Sequence, residues 1–546
     1  MKKSSRFLSF AAAALSLLMA FSLSACDFGS SGGKNSESQG ENTASQGATS
    51  QSGAGVQSDN SASQGGNSSQ SGADGQPTVV DNGDLISYAA VSEGLYCVWK
   101  ETSVKSAKAY YKQSGTSDYT QVDSQLIRQT ETGKARVDMP GLAAGKYDVK
   151  IDVGSSDKDI VIENIGVTAY DRSGYAHYNY GLGVGAYKND GTLKSGAIVV
   201  YVDESNKNTV TANGKTGIAA IIKSATNKPV VIRIIGQVAS DTKVNATTYE
   251  GKFEKINGLS EKANTGDGTL WGQLNAEGIR NFTLEGVGDD AKIYQWGITF
   301  KRCNSIEVRN LTFADYPEDA CAFDGGSNEE AANYGNYWVH NNVFNIGKRL
   351  FDDSDDQDKK EGDGAIDIKY CHDATYSYNK IVSCHKTGLV GGSDGNLQWN
   401  LTYHHNWFYK CQSRMPLGRQ ANMHYYNNYY DSTTSYCMSL RGNAYVFSEA
   451  NYFYNCKKTV EVKSGACKSY NDVFSGCTKN DATVVTDRTK TVNNSCSYGP
   501  TFDTDASKFY YDASKKATKV TYLTSADQAK TDCQNLAGPC KANKNG

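Results

Sequence analysis

The sequence predicts an all-β protein, a right-handed parallel β-helix preceded by a small β-sandwich. Two observations predict this fold. From about residue 170 onward, an asparagine followed by apolar or aromatic residues recurs at intervals of a few tens of residues. Before that point, about ninety residues carry short alternating apolar segments between turn residues. The chain has 546 residues, more than one ordinary domain, so two folded units with additional segments are expected.

The first 26 residues have the pattern of a lipoprotein signal peptide. Lys2, Lys3 and Arg6 form a basic start, residues 7–23 are almost entirely apolar, and a Leu-Ser-Ala-Cys quartet ends at Cys26. The quartet resembles a bacterial lipobox, whose cysteine is lipidated; the alternative is an ordinary signal peptide with an incidental cysteine. We therefore expect an extracellular protein, secreted or held at the surface of a bacterium. Its only contact with the membrane would be the lipid on Cys26.

Residues 27–78 are predicted to be a disordered tether. They consist largely of Ser, Gly, Gln, Asn and Ala, and Phe28 is their only aromatic residue. Such a composition buries too little apolar surface to offset the entropy lost on ordering. The tether would hold the folded part of the chain at a distance from the membrane.

Residues 79–168 are predicted to form the β-sandwich, which resembles a fibronectin type III-like module. Strand-like segments such as 95–99 and 147–151 alternate with Gly, Asp and Ser turns. This part of the chain contains no cluster of ionisable residues that would suggest a catalytic site. We expect a spacer or a weak sugar-binding module.

Residues 169–546 are predicted to form the β-helix. The recurring asparagines are separated by 32, 37, 27, 22 and 23 residues: Asn310, Asn342, Asn379, Asn406, Asn428 and Asn451. A minimum near 22 residues with larger values elsewhere fits a solenoid whose coils carry loops of different length. Asparagine suits such coils because its short amide tolerates unusual turns and can stack on the asparagine one coil away.

The 14 cysteines follow the same spacing. Cys411, Cys437, Cys456 and Cys477 are 26, 19 and 21 residues apart, about one coil each. Apart from Cys26 and Cys97, twelve cysteines lie in the predicted β-helix. This even number permits up to six disulfides, and twelve buried thiols are the alternative in a reducing environment.

The overall charge excludes some classes of partner. Lys and Arg number 56 and Asp and Glu number 59, which gives a formal net charge of −3. With neither sign dominant, the whole surface has no general attraction for nucleic acid or anionic lipid. A charged ligand must therefore be met by a local cluster.

Asp363 and Asp367 give the solenoid a candidate cation site. In a strand they share one face, whereas Ile366 and Ile368 point to the other. Two carboxylates so close repel each other unless a cation lies between them, and their oxygens suit Ca²⁺. Two solvated carboxylates are the alternative reading of the same pattern.

Three cations follow on the next coils. Lys386 comes one coil after the aspartates, and Arg414 and Arg419 come a further coil along. Arginine forks match carboxylates and lysine serves as a flexible point charge. Carboxylates, a lysine and two arginines on successive coils therefore predict a composite patch that binds a polyanion directly and through a cation.

Five short sequence motifs of this chain resemble, in the same order, motifs of the pectate lyases of polysaccharide lyase family 1. The likeness covers roughly residues 175–460. The matching phrases are DGAIDIK at 363–369, HKTGLVGGSD at 385–394, YHHNWF at 403–408, RMPLGR at 414–419 and MHYYNNYY at 423–430. One phrase departs from the family: residues 338–341 are Trp-Val-His-Asn, where the family usually has Trp-Ile-Asp-His.

The resemblance implies a role for each matching residue. Asp319, Asp363 and Asp367 would bind Ca²⁺. Lys386 would hold a substrate carboxylate during catalysis, Arg414 would be the catalytic base, and Arg419 would bind the uronate. The acidic loop 352–363 is either a source of further calcium ligands or a solvated loop. His404, His405 and His424 are expected to have stacking or core roles.

The implied function is calcium-dependent β-elimination on polygalacturonate by a monomeric enzyme, which gives 4,5-unsaturated oligogalacturonides. A pectin lyase acting on methyl-esterified pectin is one alternative, and Asp363 and Asp367 argue against it. A β-helix polygalacturonase is disfavoured because its Gly-His-Gly and Arg-Ile-Lys phrases are missing. A non-catalytic polysaccharide-binding surface lipoprotein is the third, and Lys386, Arg414 and Arg419 argue against it.

Overall fold

A computed structural model gives the fold of residues 77–81, 83–153, 159–178, 180–240, 272–347, 363–492, 511–512, 517–518 and 523–542. The predicted signal peptide with Cys26, almost all of the tether, and the acidic loop apart from Asp363 lie outside these ranges. Within them, no helix combines the length and the apolar character needed to cross a membrane.

The predicted β-sandwich is present as two antiparallel sheets. Their strands alternate buried and exposed side chains, and the buried ones, such as Trp99 and Val149, meet between the sheets. The five-stranded sheet has the order Thr78–Val80, Ile160–Val167, Gly145–Asp152, Lys108–Gln113 and Thr120–Gln121. The four-stranded sheet has the order Leu85–Val91, Gly94–Lys100, Lys134–Pro140 and Ile127–Glu131.

The predicted parallel β-helix is confirmed, and one of its sheets, the cleft sheet, has eight parallel strands. They are Gln273–Glu277, Gly297–Lys301, Cys321–Asp324, Gly364–Lys369, Lys386–Val390, Leu417–Arg419, Met438–Arg441 and Val460–Val462. Each strand pairs in register with the next, so one residue from each coil forms a row across the sheet.

The other sheet, the covered sheet, has 18 strands that form the remaining walls of the solenoid. They are Ile198–Val202, Val230–Ala239, Arg280–Tyr294, Asn304–Arg309, Thr312–Ala314, Gly335–His340, Val343–Asn345, His372–Ser377, Lys380–Val382, Trp399–His404, Trp407–Tyr409, Asn422–Tyr426, Tyr429–Asp431, Tyr445–Glu449, Tyr452–Tyr454, Ala466–Tyr470, Val473–Ser475 and Thr483–Val485. Two short pairs, Thr211–Ala212 with Lys215–Thr216 and Tyr511–Asp512 with Ala517–Thr518, lie outside both sheets. The helices are Ile218–Lys223 and Ala526–Leu536, with 3₁₀ turns at Ser124–Leu126, Tyr175–His177 and Ala331–Asn333.

Repeated side chains stack inside the solenoid. Tyr376, Tyr403 and Tyr425 stack with ring centroids 4.5 and 4.3 Å apart, a separation set by the spacing of neighbouring strands. Five of the six predicted asparagines form a ladder in which each side-chain amide donates to the next: Asn342, Asn379, Asn406, Asn428 and Asn451. The ladder continues to Asp472.

Asn310 is not part of the ladder. Its side-chain nitrogen donates instead to the Tyr170 hydroxyl at 2.7 Å, and its φ is 55°. The ladder position on this coil belongs to Leu311, whose backbone N–H donates to Asn342 at 3.0 Å. The phrase is therefore displaced by one residue here, because the left-handed corner residue and the ladder residue are adjacent and asparagine suits both.

The twelve cysteines in the described ranges are free thiols, and ten of them are buried. Thus the second of the two alternatives, buried thiols, describes these residues. Cys411, Cys437 and Cys456 lie inside the solenoid core. There they act as small apolar side chains.

The outer face of the covered sheet is concealed by the segment that follows the sandwich and by the C-terminal helix. Backbone N–H groups of Tyr175 and Ala176 donate to threonine hydroxyls of two neighbouring strands at 3.1 and 2.9 Å. Beyond helix Ala526–Leu536, the Gly538 N–H donates to the Tyr378 carbonyl at 2.8 Å. Polar side chains on this face are consequently buried, which requires each of them to find a partner.

Candidate active site

Three carboxylates line one cleft on the cleft sheet. Asp319 precedes strand Cys321–Asp324. On the next coil, Asp363 precedes strand Gly364–Lys369 and Asp367 lies within it. Gly364 lies beneath them. A Cβ at this position would collide with Oδ1 of Asp367 and would come within 2.9 Å of Oδ1 of Asp319. The missing side chain of Gly364 is therefore what allows the two oxygens to approach each other.

The strand itself aims these groups outward. Ile366 and Ile368 are only 2% and 1% exposed and belong to the solenoid core, so Asp367 between them points to the outer side. Backbone N–H groups then hold the carboxylates in place. Gly364 donates to Oδ1 of Asp319 and Leu389 donates to Oδ1 of Asp367, both at 2.9 Å.

The mutual repulsion of these groups is visible in their protonation. Burial, followed by the charge of Asp363, raises the pKa of Asp367 to about 7, against the opposing effect of Arg414. Burial and the charges of Asp367, Asp363 and Glu318 raise the pKa of Asp319 well above its ordinary value. Since like charges close together disfavour ionisation, the cluster has an excess of negative charge that a divalent cation would relieve.

Lys386 and Arg414 follow on the next two coils. Lys386 pairs in register with Gly364, and its Nζ lies 3.5 Å from Oδ1 of Asp363. It also forms a bridge with Ser413, so Arg414 occupies the coil beyond. Arg414 has a φ of 64°, a left-handed conformation that non-glycine side chains adopt at an energetic cost. No ion pair within the described ranges engages its guanidinium group.

Arg419 is held by two partners on the loop beside it. Its Nη1 donates to the Gly391 carbonyl at 2.7 Å, and its Nε lies 3.0 Å from Oδ1 of Asp394. Burial lowers the pKa of Arg419, and Asp394 opposes this effect. In register beside it on the next coil lies Arg441, so a positive row continues along the sheet.

A cleft with a volume of about 460 Å³ opens beside the carboxylates. Asp319, Asp363 and Asp367 line it, whereas Lys386, Arg414 and Arg419 lie beyond its edge on the succeeding coils. Sequence reasoning gave no role to four other charged residues that line the cleft: Lys301, Glu318, Asp324 and Lys369. Lys369 could have been found, because it lies two residues after Asp367 and a strand places positions i and i+2 on one face.

The chemistry of this arrangement follows from its charges. Oxygen-only donors converging from two coils suit a hard divalent cation such as Ca²⁺. The cations on the next coils would meet the carboxylates of a polyanion laid across the strands, because successive coils present them in a row. A polyanion with regularly spaced acid groups is the ligand that fits this row.

Comparison with known proteins finds relatives that include pectate lyases. The sequence profile of a family described as pectate lyase matches residues 160–542. Pectate lyase 3 of Pectobacterium atrosepticum is 30% identical over 269 residues, which cover 46% of this chain and 68% of that protein. The pectate trisaccharide-lyase of Bacillus licheniformis is 30% identical over 213 residues, or 38% of this chain and 56% of that protein.

Solved structures with a similar course of the chain carry the same description. A pectate lyase from Bacillus sp. N165, crystallised in complex with trigalacturonate, is 21% identical and aligns with a TM-score of 0.45. The alignment covers 67% of this chain and 98% of that one.

Proposed function

Because this chain belongs to the pectate lyase family, we propose that it cleaves polygalacturonate by calcium-dependent β-elimination and releases 4,5-unsaturated oligogalacturonides. The observation that carries the proposal is the group of three carboxylates, Asp319, Asp363 and Asp367, that line one cleft. Lys386 and Arg414 on the two following coils support it, since they place cations where a uronate chain anchored at the carboxylates would continue.

The residues present fit calcium. The cavity above Gly364 is bounded by carboxylate oxygens, which are the donors that Ca²⁺ prefers. Burial and the charge of Asp363 raise the pKa of Asp367 to about 7, an effect that a bound cation would oppose. We propose Asp319, Asp363 and Asp367 as the ligands. A calcium ion bound there supplies positive charge to the uronate carboxylate and so makes the neighbouring C5 proton more acidic.

Lys386 and Arg419 hold the substrate in this proposal. The Lys386 ammonium, now near Asp363, is within reach of a carboxylate that shares the cation site. Arg419 has its Nη1 and Nε fixed by Gly391 and Asp394, so its guanidinium is oriented before substrate arrives. A donor fixed in advance loses less conformational entropy on binding.

Arg414 removes the C5 proton. The electron pair of the C5–H bond becomes the C4–C5 double bond, the C4–O bond breaks, and the departing oxygen takes a proton from water. An arginine can accept a proton only in its neutral form, which high pH favours. We therefore expect an alkaline optimum.

Outside the described residues, we propose that Cys26 carries lipid and retains the enzyme at the cell surface, where it acts as a monomer. A Cys26→Ala variant tests the anchor. It is expected to move from the detergent-soluble membrane fraction to the medium without losing activity. Recovery of the wild-type protein in the medium, with no mass added at Cys26, would contradict the anchor.

The experiment for the activity is incubation of the full chain with polygalacturonate and with methyl-esterified pectin, each with calcium and with a chelator. Growth of ultraviolet absorbance from an unsaturated product on polygalacturonate, abolished by chelator, is the expected result. New reducing ends without absorbance would indicate a hydrolase. Activity on the esterified substrate alone would indicate a pectin lyase, and binding without either signal would indicate a non-catalytic protein.

A further inference from the structure

A second group of potential metal ligands lies on the opposite wall of the solenoid, outside the covered sheet. Asp171, His404 and His405 bring one carboxylate and two imidazoles together, with their ligand atoms all within 4.8 Å of one another. Asp171 and His404 are fully buried, and His405 is 2% exposed. Neither the catalytic proposal nor the calcium site uses any of these residues.

Backbone geometry brings the two histidines to the same side. His404 ends strand Trp399–His404, and consecutive residues of a strand point to opposite faces. His405, however, has a φ of 53°, so the chain turns a corner there and the alternation is broken. The two Nδ1 atoms come within 3.0 Å of each other. Oδ2 of Asp171 lies 3.9 Å from Nδ1 of His404.

The surrounding groups orient these ligands as the outer partners of metal sites do. Nε2 of His404 lies 3.2 Å from the Ser173 carbonyl, to which it donates, so Nδ1 carries the lone pair. Asp171 is held on both oxygens, by the Ser173 N–H at 3.0 Å and by the Tyr378 hydroxyl at 3.0 Å.

We propose that Asp171, His404 and His405 bind one transition-metal ion of the Zn²⁺ type. Two imidazole nitrogens and one carboxylate oxygen are donors that zinc accepts readily, whereas calcium takes oxygen donors. The metal takes the place of the hydrogen between the two Nδ1 atoms. His405 then carries its proton on Nε2, so neither ring changes its charge and no proton is released.

The site would have a structural role. Asp171 belongs to the segment that leaves the sandwich, whereas the histidines belong to the coil that it covers, so a bound ion would tie the two together. Because the ligands are buried beneath residues 170–178, the ion would enter as the chain folds and exchange slowly afterwards. This site is independent of the proposed lyase activity.

Metal content of the full chain tests the proposal. The protein is produced with added zinc, passed through metal-free buffer and analysed by mass spectrometry, with about one zinc per chain as the expected result. His405→Asn is expected to lose the zinc. His424→Asn is the matched control, because this histidine is equally buried but pairs with Glu449 and is not one of the three ligands; it should retain the metal.

A second measurement keeps the test decisive if a variant fails to fold. The wild-type chain is refolded with Co²⁺, whose visible absorption reports nitrogen and oxygen ligands held in a defined geometry. Less than about one tenth of an equivalent of zinc in the wild type, with no cobalt band, would overturn the proposal. Equal zinc content in folded His405→Asn and wild type would also overturn it, and the cluster would then be a hydrogen-bonded histidine pair.

Discussion

The covered sheet and the cleft sheet of the solenoid surround their carboxylates with different partners. Beneath the cover, Arg309 pairs with Glu93 at 3.4 Å, Glu285 at 2.8 Å and Glu307 at 3.1 Å, all almost fully buried. On the cleft sheet, the carboxylates of Asp319 and Asp367 are held by backbone N–H groups. The covered sheet pairs these carboxylates with arginine, whereas no ion pair between described residues engages Asp319 or Asp367.

The pKa values of the carboxylates differ between the two sheets in the same sense. Burial alone raises the pKa of Glu307, but Arg309 and His340 outweigh it and bring the value to about 2. Burial and Asp363 together raise the pKa of Asp367 to about 7. A carboxylate whose pKa is lowered stabilises the fold, whereas one whose pKa is raised costs stability when ionised. The ionised cleft carboxylates therefore cost stability, which the proposed calcium ion would restore.

Removing Arg309 is expected to cause the largest change in stability. Arg309→Ala removes an arginine that three buried carboxylates share with other basic groups, so we expect a loss of about 3 kcal/mol in the free energy of unfolding. Chemical denaturation measures it. Arg302→Ala is the matched control, because Arg302 forms ion pairs that are exposed to solvent, and this variant should lose far less stability. Equal losses of stability in the two variants would contradict the proposed difference between buried and exposed ion pairs.

Removing Arg414 should affect catalysis and leave the fold intact. Arg414→Ala eliminates the proposed base, and we expect kcat on polygalacturonate to fall on the order of 10³-fold, or about 4 kcal/mol in activation free energy. The thermal midpoint should stay near that of the wild type, since no ion pair in the described ranges depends on this residue. A variant that keeps most of its kcat would exclude Arg414 as the base.

Calcium should stabilise the protein in a pH-dependent way. The raised pKa of Asp367 means that the calcium-free folded state holds a proton which the unfolded chain releases. This bound proton stabilises the calcium-free folded state at low pH, and the stabilisation is lost as pH rises through about 7. Calcium at a hundredfold excess over its Kd should add about 2.7 kcal/mol at alkaline pH, and less at acidic pH where protons compete.

Thermal unfolding with and without calcium at several pH values measures this dependence. Asp367→Asn is the comparison, because it keeps the size of the side chain but removes the titrating group. In this variant, the calcium-dependent shift should be small at every pH. An equal shift at acidic and alkaline pH in the wild type would show that calcium binds elsewhere.

The difference between the walls also explains what the sequence could predict. Cleft residues such as Asp363, Asp367 and Lys386 lie within one or two coils, so the period of the strands is enough to place them together. Residues of the covered wall are far apart in the chain: Glu93 and Arg309, for example, are 216 residues apart. Their pairing depends on how the sandwich meets the solenoid, which no local pattern records.

The same reasoning applies to the misplaced asparagine. Asn310 matches the phrase as well as Asn342 does, yet only Asn342 enters the ladder. Both the corner and the ladder position accept asparagine, and a one-residue displacement cannot be seen from composition. Sequence reasoning therefore identified the coils correctly but could not fix the register of each one.

The smallest expected effect concerns an exposed partner at the edge of the cleft. Asp394 is 69% exposed on its side chain and lies 3.0 Å from Nε of Arg419. Exposed ion pairs contribute about 0.2–1 kcal/mol, so Asp394→Ala should raise KM for polygalacturonate by only about two- to fivefold, with kcat unchanged. If Asp394 serves only to orient Arg419, then Asp394→Asn should restore most of the loss, because an amide oxygen still accepts the Nε hydrogen bond. A fall in kcat in either variant would instead place Asp394 among the groups that contact the reacting sugar.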